Sequence, residues 1–316
     1  MKILVTGSEG SLMQALIPKL LAQGHEVVGV DNLYRYGVKS ESAGRDYKFI
    51  KQDLSERDLD LCKGMDAVIL AAAKIYGVGG FNHYCADIIS DDSMVQGNIL
   101  QSAAKHGVGK VVYMSSSMVY ETCIQDLNHP SKEWETDFCT LPKTDYGLSK
   151  LLGERMCQAF HKQYGLEYVS WRPFNIITPH ETSMKKQGFS HVFADYITNI
   201  IEKKMNPLPI IGDGNQVRCF TWIDDIATII AEQSFKPETN GETYNICNVE
   251  PITMRDLANK IYTYTNNPEP LQFETIREYK NDVMVRVPSI QKLQELIGDY
   301  EFKNVDYSIG QCVNNV

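Results

Sequence analysis

The sequence lacks three features that would place it in a specialised class of protein. No apolar run approaches the roughly 18 residues of a membrane-spanning helix, so no membrane partner is expected. There is no run of basic residues and the net charge is −9, which argues against binding to nucleic acid. Internal repeats and low-complexity segments are absent too. What remains is a chain of 316 residues with 43% hydrophobic content, enough for a sizeable core.

Paired cysteines are also missing. The eight cysteines follow no CxxC spacing, so we predict no metal site. In a chain of this length they are predicted to be reduced thiols in a reducing compartment, which favours the cytoplasm. The first residues, MKILVTG, enter a strand-like run without the apolar stretch of a signal peptide, as that location requires. The cysteines are Cys62, Cys85, Cys123, Cys139, Cys157, Cys219, Cys247 and Cys312.

Strand-like and helix-like segments alternate through the first half of the chain. The strand-like runs are KILVTG, HEVVGVD, YKFIKQD, DAVILAAA, KVVYMSSS and EYVSWRP. Between them lie segments of helical periodicity: SLMQALIPKLLAQG, DDSMVQGNILQSAAKHG and DYGLSKLLGERMCQAFHKQYG. Continuous apolar strands separated by helices predict an α/β protein with a Rossmann-type, doubly wound parallel sheet.

The regular alternation ends near residue 171. We therefore predict a first domain over 1–171, to which 221–246 return, and a smaller substrate-binding lobe formed by 172–220 and 247–316. Within that lobe, VFADYITNIIEKKM is predicted to be helical. The segment PLPIIGDGNQVRCFTWIDD is predicted to form short strands and turns.

A glycine-rich turn joins the first predicted strand to the first helix. In VTGSEGSLMQ, Gly7 and Gly10 would let the backbone approach a pyrophosphate at the helix N-terminus. The usual third glycine is Met13, which predicts a slightly displaced helix. Asp31, at the end of the second strand, is suited to the ribose hydroxyls and would repel a 2′-phosphate, so NAD is favoured over NADP. Asp53 is a candidate partner for the adenine amine, although either aspartate could equally be a cap or turn residue.

The segment TDYGLSK carries the clearest candidates for catalysis. It places Tyr146 and Lys150 one turn apart on the same face of a helix. A phenol is a poor base at neutral pH, but a neighbouring lysine cation stabilises the phenolate. Ser116, at the end of the fifth strand, could hold the oxygen of the reacting hydroxyl group while Tyr146 takes its proton. The sequence thus predicts Ser116, Tyr146 and Lys150 as the catalytic set.

Over nearly its whole length the chain resembles the extended short-chain dehydrogenase/reductases that act as NAD-dependent nucleotide-sugar epimerases and dehydratases. The resemblance implies an NAD-binding Rossmann domain, a lobe that binds a nucleotide sugar, and a homodimer whose interface includes the helix of Tyr146. Further expected contacts are Leu54 and Ala71 with the cofactor, and Ser117, Asn175, Arg218 and Arg286 with the substrate. The matching segments are TGSEG, VDNLYR, LAAA, SSSMVY, YGLSK, RPFNIITP, IIGDGNQVRCFTWIDD, YNICN and MVRVPSIQKLQELIG.

The residues after Ser116 indicate which reaction the chain performs. Relatives resembling 4,6-dehydratases carry Asp-Glu at the positions of Ser117 and Met118. Relatives resembling GDP-fucose synthase or GDP-mannose 3,5-epimerase carry a cysteine at Met118. A thioether cannot exchange a proton, so Met118 predicts oxidation and reduction at C4 of the sugar, by a 4-dehydrogenase or a 4-epimerase. Alternatively, Met118 only fills space and an acid/base group comes from elsewhere.

His191 keeps that alternative open. The segment SHVFADYI resembles the part of GDP-fucose synthase that supplies a second acid/base histidine, which would make the protein a 3,5-epimerase or 4-reductase. Otherwise His191 binds the sugar by hydrogen bonds, as we prefer. The segment GVGGFNHYCADIISDDSMVQGN resembles the GDP-sugar branch, so a GDP-linked substrate is favoured. A hypothesis from another class is a non-catalytic nucleotide-sugar sensor, against which the complete Ser/Tyr/Lys set argues.

Overall fold

A seven-stranded sheet, in which every neighbouring pair of strands is parallel, forms the frame of the protein. The computed structural model describes residues 1–37, 46–56, 60–184, 188–276 and 282–314. The strands are β1 (Lys2–Thr6), β2 (Glu26–Asp31), β3 (Lys48–Lys51), β4 (Ala67–Leu70), β5 (Lys110–Met114), β6 (Glu167–Pro173) and β10 (Glu242–Ile246). Their order across the sheet is β10–β6–β5–β4–β1–β2–β3. The predicted Rossmann-type sheet is confirmed.

Helices cover both faces of this sheet. They are α1 (Ser11–Ala22), α3 (Cys85–Lys105), α4 (Asp145–Tyr164) and α6 (Ile223–Gln233), while the short helix α2 (Val78–His83) lies next to α3 at the cavity. On one face α1 and α6 pack against Ile3 and Val5, and on the other α3 and α4 pack over Leu4. Successive side chains of a strand point to opposite faces, so a strand covered on both sides must be apolar throughout.

Two predicted helices differ from the observed ones. The helix α3 begins at Cys85, six residues earlier than predicted, because ADIISD continues the apolar face with Ile88 buried. The segment predicted to be one helix in the second lobe is α5 (Val192–Tyr196) followed by a π-helical turn over Ile197–Glu202. Within the described ranges, no helix combines the length and the apolar composition that crossing a bilayer would require.

Short strands and helices form a second, smaller group of elements. The strand β9 (Val217–Trp222) is paired with β7 (Asn175–Ile177), β11 (Pro251–Thr253) and β13 (Val285–Arg286), while β8 (Leu208–Ile211) pairs with β12 (Phe273–Ile276). The remaining helices are α7 (Met254–Tyr262), α8 (Gln291–Ile297) and α9 (Val305–Val313). Most of these elements share a separate apolar core that includes Phe193, Phe220 and Leu257.

The expectation that all eight cysteines are free thiols is wrong for two of them. Cys123 and Cys139 form a disulfide, with their Cα atoms 5.5 Å apart. The chain between them folds back on itself, and the Thr122 hydroxyl donates a hydrogen bond to the Thr140 carbonyl. A pairing across 16 residues of irregular chain has no spacing motif, so the sequence could not predict it. The other six cysteines are free.

Candidate active site

A cavity of about 470 Å³ opens at the carboxyl ends of the central strands, where the sheet meets the smaller group of elements. Ligands of open parallel sheets characteristically bind at this edge. Every site residue predicted from the sequence lines the cavity: Gly7, Gly10, Asp31, Asp53, Leu54, Ala71, Ser116, Ser117, Tyr146, Lys150, Asn175, His191, Arg218 and Arg286.

The glycine-rich turn forms a tight cradle at the start of α1. Gly7 has a φ of +69°, and a Cβ atom there would lie 2.9 Å from the Cα of Ala72. Gly10 is the N-cap of α1, so the first amides of that helix face the cavity without a side-chain cap. Glycine is therefore required at position 7, and the exposed amides suit the pyrophosphate of NAD. Met13 is buried behind this turn, in the core between α1 and the sheet.

Two acidic residues of the cavity wall lie close together, Asp31 at the end of β2 and Glu9 in the glycine-rich turn. The Asp31 carboxylate accepts hydrogen bonds from the amides of Glu9 (3.0 Å) and Leu33 (2.7 Å). Burial raises the pKa of Asp31, and the nearby Glu9 charge adds to the increase although both amides oppose it. The Glu9 carboxylate is itself buried and accepts a hydrogen bond from the Tyr47 hydroxyl (3.2 Å). The Asp31 carboxylate at this point disfavours a 2′-phosphate.

Asp53 is more exposed than Asp31, and one of its carboxylate oxygens is already hydrogen-bonded within its own turn. Its Oδ1 accepts hydrogen bonds from the amide (2.9 Å) and the hydroxyl (2.7 Å) of Ser55. These bonds lower the pKa of Asp53. The carboxylate remains at the cavity wall, next to the buried side chain of Leu54.

Tyr146, Lys150 and Ser116 meet where α4 passes the end of β5. The Tyr146 ring stacks on Phe81, with ring centroids 4.3 Å apart, and its hydroxyl is close enough to the Ser116 side chain to be influenced by it. The Lys150 ammonium lies 5.7 Å from the centroid of the Tyr146 ring and donates a hydrogen bond to the Met114 carbonyl (2.9 Å). Burial raises the pKa of Tyr146, while Ser116 lowers it. The predicted catalytic set is therefore brought together within one buried cluster.

Arg286 and Arg218 line the far side of the cavity, and their guanidinium groups differ in their bonding partners. Arg218 forms an ion pair with Asp282 (3.0 Å). Arg286 donates to the Asn175 side-chain oxygen (3.4 Å) and contacts the sulfur of Met118, while its buried Nε has no hydrogen-bond partner among the described residues. Burial and the charge of Arg218 lower the pKa of Arg286 to about 9. Unused donors on a buried guanidinium favour an anionic ligand such as a diphosphate.

His191 is held in place by a buried carboxylate. Its Nδ1 lies 2.8 Å from Glu181 Oε2, and its amide donates to Glu181 Oε1 (3.0 Å). Burial lowers the pKa of His191, but Glu181 outweighs this effect and raises it. The imidazole remains 46% exposed to the cavity. This arrangement fixes Nδ1 of the ring and leaves Nε2 for contact with a molecule that binds in the cavity.

Sequence reasoning missed five acidic residues of the cavity wall that have buried carboxylates. They are Glu9, Asp92, Glu121, Glu181 and Asp195. In the sequence they stand in polar or helical segments, where an acid ordinarily marks an exposed surface. Only Glu9, inside the glycine-rich turn, had a context that could have drawn attention to it.

The sequence profile described as "NAD dependent epimerase/dehydratase family" matches residues 3–247. The uncharacterised UDP-glucose epimerase YtcB of Bacillus subtilis is 29% identical over 285 residues, covering 86% of this chain and 85% of its own. GDP-L-fucose synthase 1 of Arabidopsis thaliana is 28% identical over 277 residues, covering 80% and 79%. The solved structure of DesIV, a dTDP-glucose 4,6-dehydratase of Streptomyces venezuelae with NAD bound, matches with a TM-score of 0.86 at 23% identity, covering 100% and 96%. Since the matched profile spans more than half of its length, the chain belongs to the NAD-dependent epimerase/dehydratase family.

Proposed function

We propose that the enzyme oxidises the C4 hydroxyl of a nucleotide-linked sugar, with Tyr146 as the base. The observation that carries this proposal is the buried cluster in which Tyr146, Ser116 and Lys150 meet at the cavity, with the Lys150 ammonium 5.7 Å from the centroid of the Tyr146 ring. We further propose that 1–171 and 221–246 bind NAD, while 172–220 and 247–316 bind the sugar nucleotide.

In the proposed step, Ser116 orients the C4 hydroxyl toward the phenolate oxygen of Tyr146. The hydroxyl proton moves to that oxygen, the C4–H bond breaks, and the C4–O bond becomes a carbonyl. The nicotinamide of bound NAD supplies the acceptor for the hydride. Lys150 stabilises the phenolate by its charge, and burial of the cluster keeps that interaction from being screened by water.

Met118 limits the reaction that follows. Its sulfur contacts Arg286, and a thioether cannot take a proton from C3 or C5. A C4 ketone held in the site can then only be reduced again or released. Reduction on the opposite face gives a 4-epimerase that regenerates its NAD, and release gives a 4-dehydrogenase.

On the substrate side, Arg286 and Arg218 are the proposed contacts of the diphosphate, with Asn175 and Ser117 close to the sugar. We propose a GDP-linked sugar on the resemblance of the segment GVGGFNHYCADIISDDSMVQGN to the GDP-sugar branch. Relatives with GDP-linked and with UDP-linked substrates are similarly distant in sequence, at 28% and 29% identity. Both nucleotides therefore have to be compared directly.

The test is turnover of a defined panel: GDP-mannose, GDP-fucose, UDP-glucose and UDP-galactose, each with the NAD-loaded enzyme. We expect either the absorbance of NADH or a C4-inverted product by NMR with at least one GDP-sugar. The Tyr146→Phe variant is the matched control and should bind the same sugar without converting it. Binding without chemistry in the unmodified enzyme would favour the sensor hypothesis, and turnover of the UDP-sugars alone would overturn the GDP assignment.

The contact between Glu181 and His191 favours a second candidate function. A fixed imidazole could move protons at C3 or C5 of a 4-keto sugar, as a 3,5-epimerase requires, whereas a 4-reductase requires only a hydride at C4 and a proton on its oxygen. Turnover in D₂O separates the two functions. The C4 proposal predicts no deuterium at C3 or C5, whereas the second candidate predicts incorporation that disappears in His191→Asn. Met118→Cys is the positive control, because a thiol there can exchange a proton.

A further inference from the structure

Asp92 is a buried carboxylate beside the catalytic helix to which the proposed reaction gives no role. It lies on α3 where that helix packs against α4, and it is 1% exposed. Its Oδ1 accepts a hydrogen bond from the Lys74 amide (2.9 Å) and its Oδ2 one from the Ser149 hydroxyl (3.1 Å). Both donors are neutral, so they stabilise the negative charge without cancelling it.

Lys150, next to Ser149 on α4, is the cation that interacts most strongly with Asp92. The Lys150 ammonium is hydrogen-bonded only to a carbonyl, that of Met114, in the part of the chain that the structure describes. Burial lowers the pKa of Lys150, and the Asp92 charge is the main influence that opposes this. Each of the two charges therefore favours the ionised form of the other.

Two further carboxylates near this pair are matched to other cations. Glu154, one turn after Lys150, is bonded to Arg172 at 2.6 Å. Asp91, next to Asp92, forms an ion pair with the Lys74 ammonium. Glu154 and Asp91 thus have cations of their own, and Asp92 is the acid of the three whose strongest influence of opposite charge is Lys150.

Tyr146 is affected by the same charges. Asp92 opposes the loss of its proton, whereas Arg286 and the Ser116 hydroxyl favour it. When Tyr146 ionises, the buried cluster contains two anions and the Lys150 cation. A like charge within a low-dielectric site makes the second ionisation harder.

We propose that Asp92 is a positioning residue of the reaction, whose carboxylate balances Lys150 and thereby sets the pH range in which Tyr146 can accept the substrate's proton. This inference rests on the proposed function, since it takes Tyr146 as the base. Removing the Asp92 charge should make the phenolate easier to form. Its effect acts through Tyr146 and not through contact with the sugar.

The test is the pH dependence of kcat/KM for Asp92→Asn, with the panel sugar that the unmodified enzyme converts fastest. Asparagine keeps the shape and can still accept from the Lys74 amide, while the Ser149 hydroxyl can turn to the Tyr146 carbonyl, 2.9 Å away. We expect the acidic midpoint of the profile to fall by about one pH unit, the order expected when a unit charge is removed from a buried cluster. Asp87→Asn, which removes an exposed charge from the same helix, should leave the midpoint unchanged. An unchanged midpoint in folded Asp92→Asn would overturn the proposal.

A second measurement needs no substrate. Ultraviolet titration of the NAD-loaded protein, taken as the difference from Tyr146→Phe, follows the ionisation of this phenol alone. Its midpoint should also fall in Asp92→Asn, or in Asp92→Ser if the asparagine variant does not fold. An unmoved midpoint refutes the role of Asp92. If Tyr146→Phe instead retains full turnover, the proposed function fails, and the two failures are distinguishable.

Discussion

At the scale of single residues, Tyr146 has the clearest expected effect. Tyr146→Phe keeps the ring that stacks on Phe81 and removes only the proton acceptor. We expect kcat to fall roughly 10²–10⁴-fold, the usual range for loss of a general base. Binding of the nucleotide sugar, measured by calorimetry, should be nearly unchanged. A variant that kept most of its activity would place the base elsewhere.

The choice of cofactor is a second property of single residues. Asp31→Ala removes the carboxylate at the end of β2. We expect the preference for NAD over NADP, measured by calorimetry, to narrow by roughly 10–100-fold, since a like-charge contact costs a few kcal/mol. Equal affinities in the unmodified enzyme would contradict this account.

The sequence predicted residues that belong to local patterns and missed those that do not. Tyr146 and Lys150 were found from their helical spacing, and Gly7 from its place between a strand and a helix. Asp92 and Glu181 act through contacts with residues 57 and 10 positions away, respectively. Burial turns them from ordinary surface acids into site residues, and burial depends on the packed fold.

At the scale of elements, Glu121 anchors the start of the catalytic helix. Its two oxygens accept hydrogen bonds from the amide (2.7 Å) and the hydroxyl (2.8 Å) of Thr144, the N-cap of α4. Burial raises the pKa of Glu121, so the stabilising feature is the pair of hydrogen bonds and not the charge. Glu121→Gln replaces one acceptor oxygen by an NH2 group and leaves a buried Thr144 donor unpaired, so it should lower the unfolding free energy by about 1 kcal/mol. Urea denaturation measures this. Glu301→Gln, at an exposed position, is the control. Equal losses of unfolding free energy in the two variants would show that Glu121 does not anchor α4.

Asp195 ties α5 to the preceding loop and makes stability depend on pH. It accepts hydrogen bonds from the Ser183 hydroxyl (2.6 Å) and the Gly188 amide (2.8 Å), and burial raises the pKa of Asp195 to about 6. The folded state therefore holds this proton more tightly than the unfolded chain. Its contribution is present at low pH and is lost as the pH rises through about 6.

The Asp195→Asn variant tests that dependence. Relative to this variant, the unmodified protein should lose up to about 3 kcal/mol of unfolding free energy between about pH 4 and pH 7. Urea unfolding at several pH values in this range gives, for each protein, the slope of the unfolding free energy against pH. Parallel slopes for the two proteins would show that Asp195 does not retain its proton on folding.

At the scale of the whole molecule, the sheet could be predicted and the smaller group of elements only in outline. A strand buried on both faces must be apolar throughout, so β1, β4 and β5 are visible in the sequence. The short strands around β9 pair with segments far along the chain, such as β13, and carry no strong local signal. The same reason hid the disulfide, which depends on how the chain folds back between its two cysteines.

The predicted homodimer is the remaining property of the whole molecule. The resemblance places α4 in the interface, and Ala159 is an exposed residue of that helix. A large charged side chain there would have to be buried between helices, so Ala159→Arg should shift the equilibrium toward monomers by at least roughly tenfold. Analytical ultracentrifugation measures the dissociation constant of the unmodified protein and of each variant.

A matched control is available on another helix. Ala22 is exposed at the last residue of α1, away from α4, so Ala22→Arg adds the same charge outside the expected interface. It should leave the dissociation constant unchanged. Equal weakening by both arginines would point to net charge and not to an interface through α4. If the unmodified protein is monomeric at all concentrations measured, the predicted dimer is refuted.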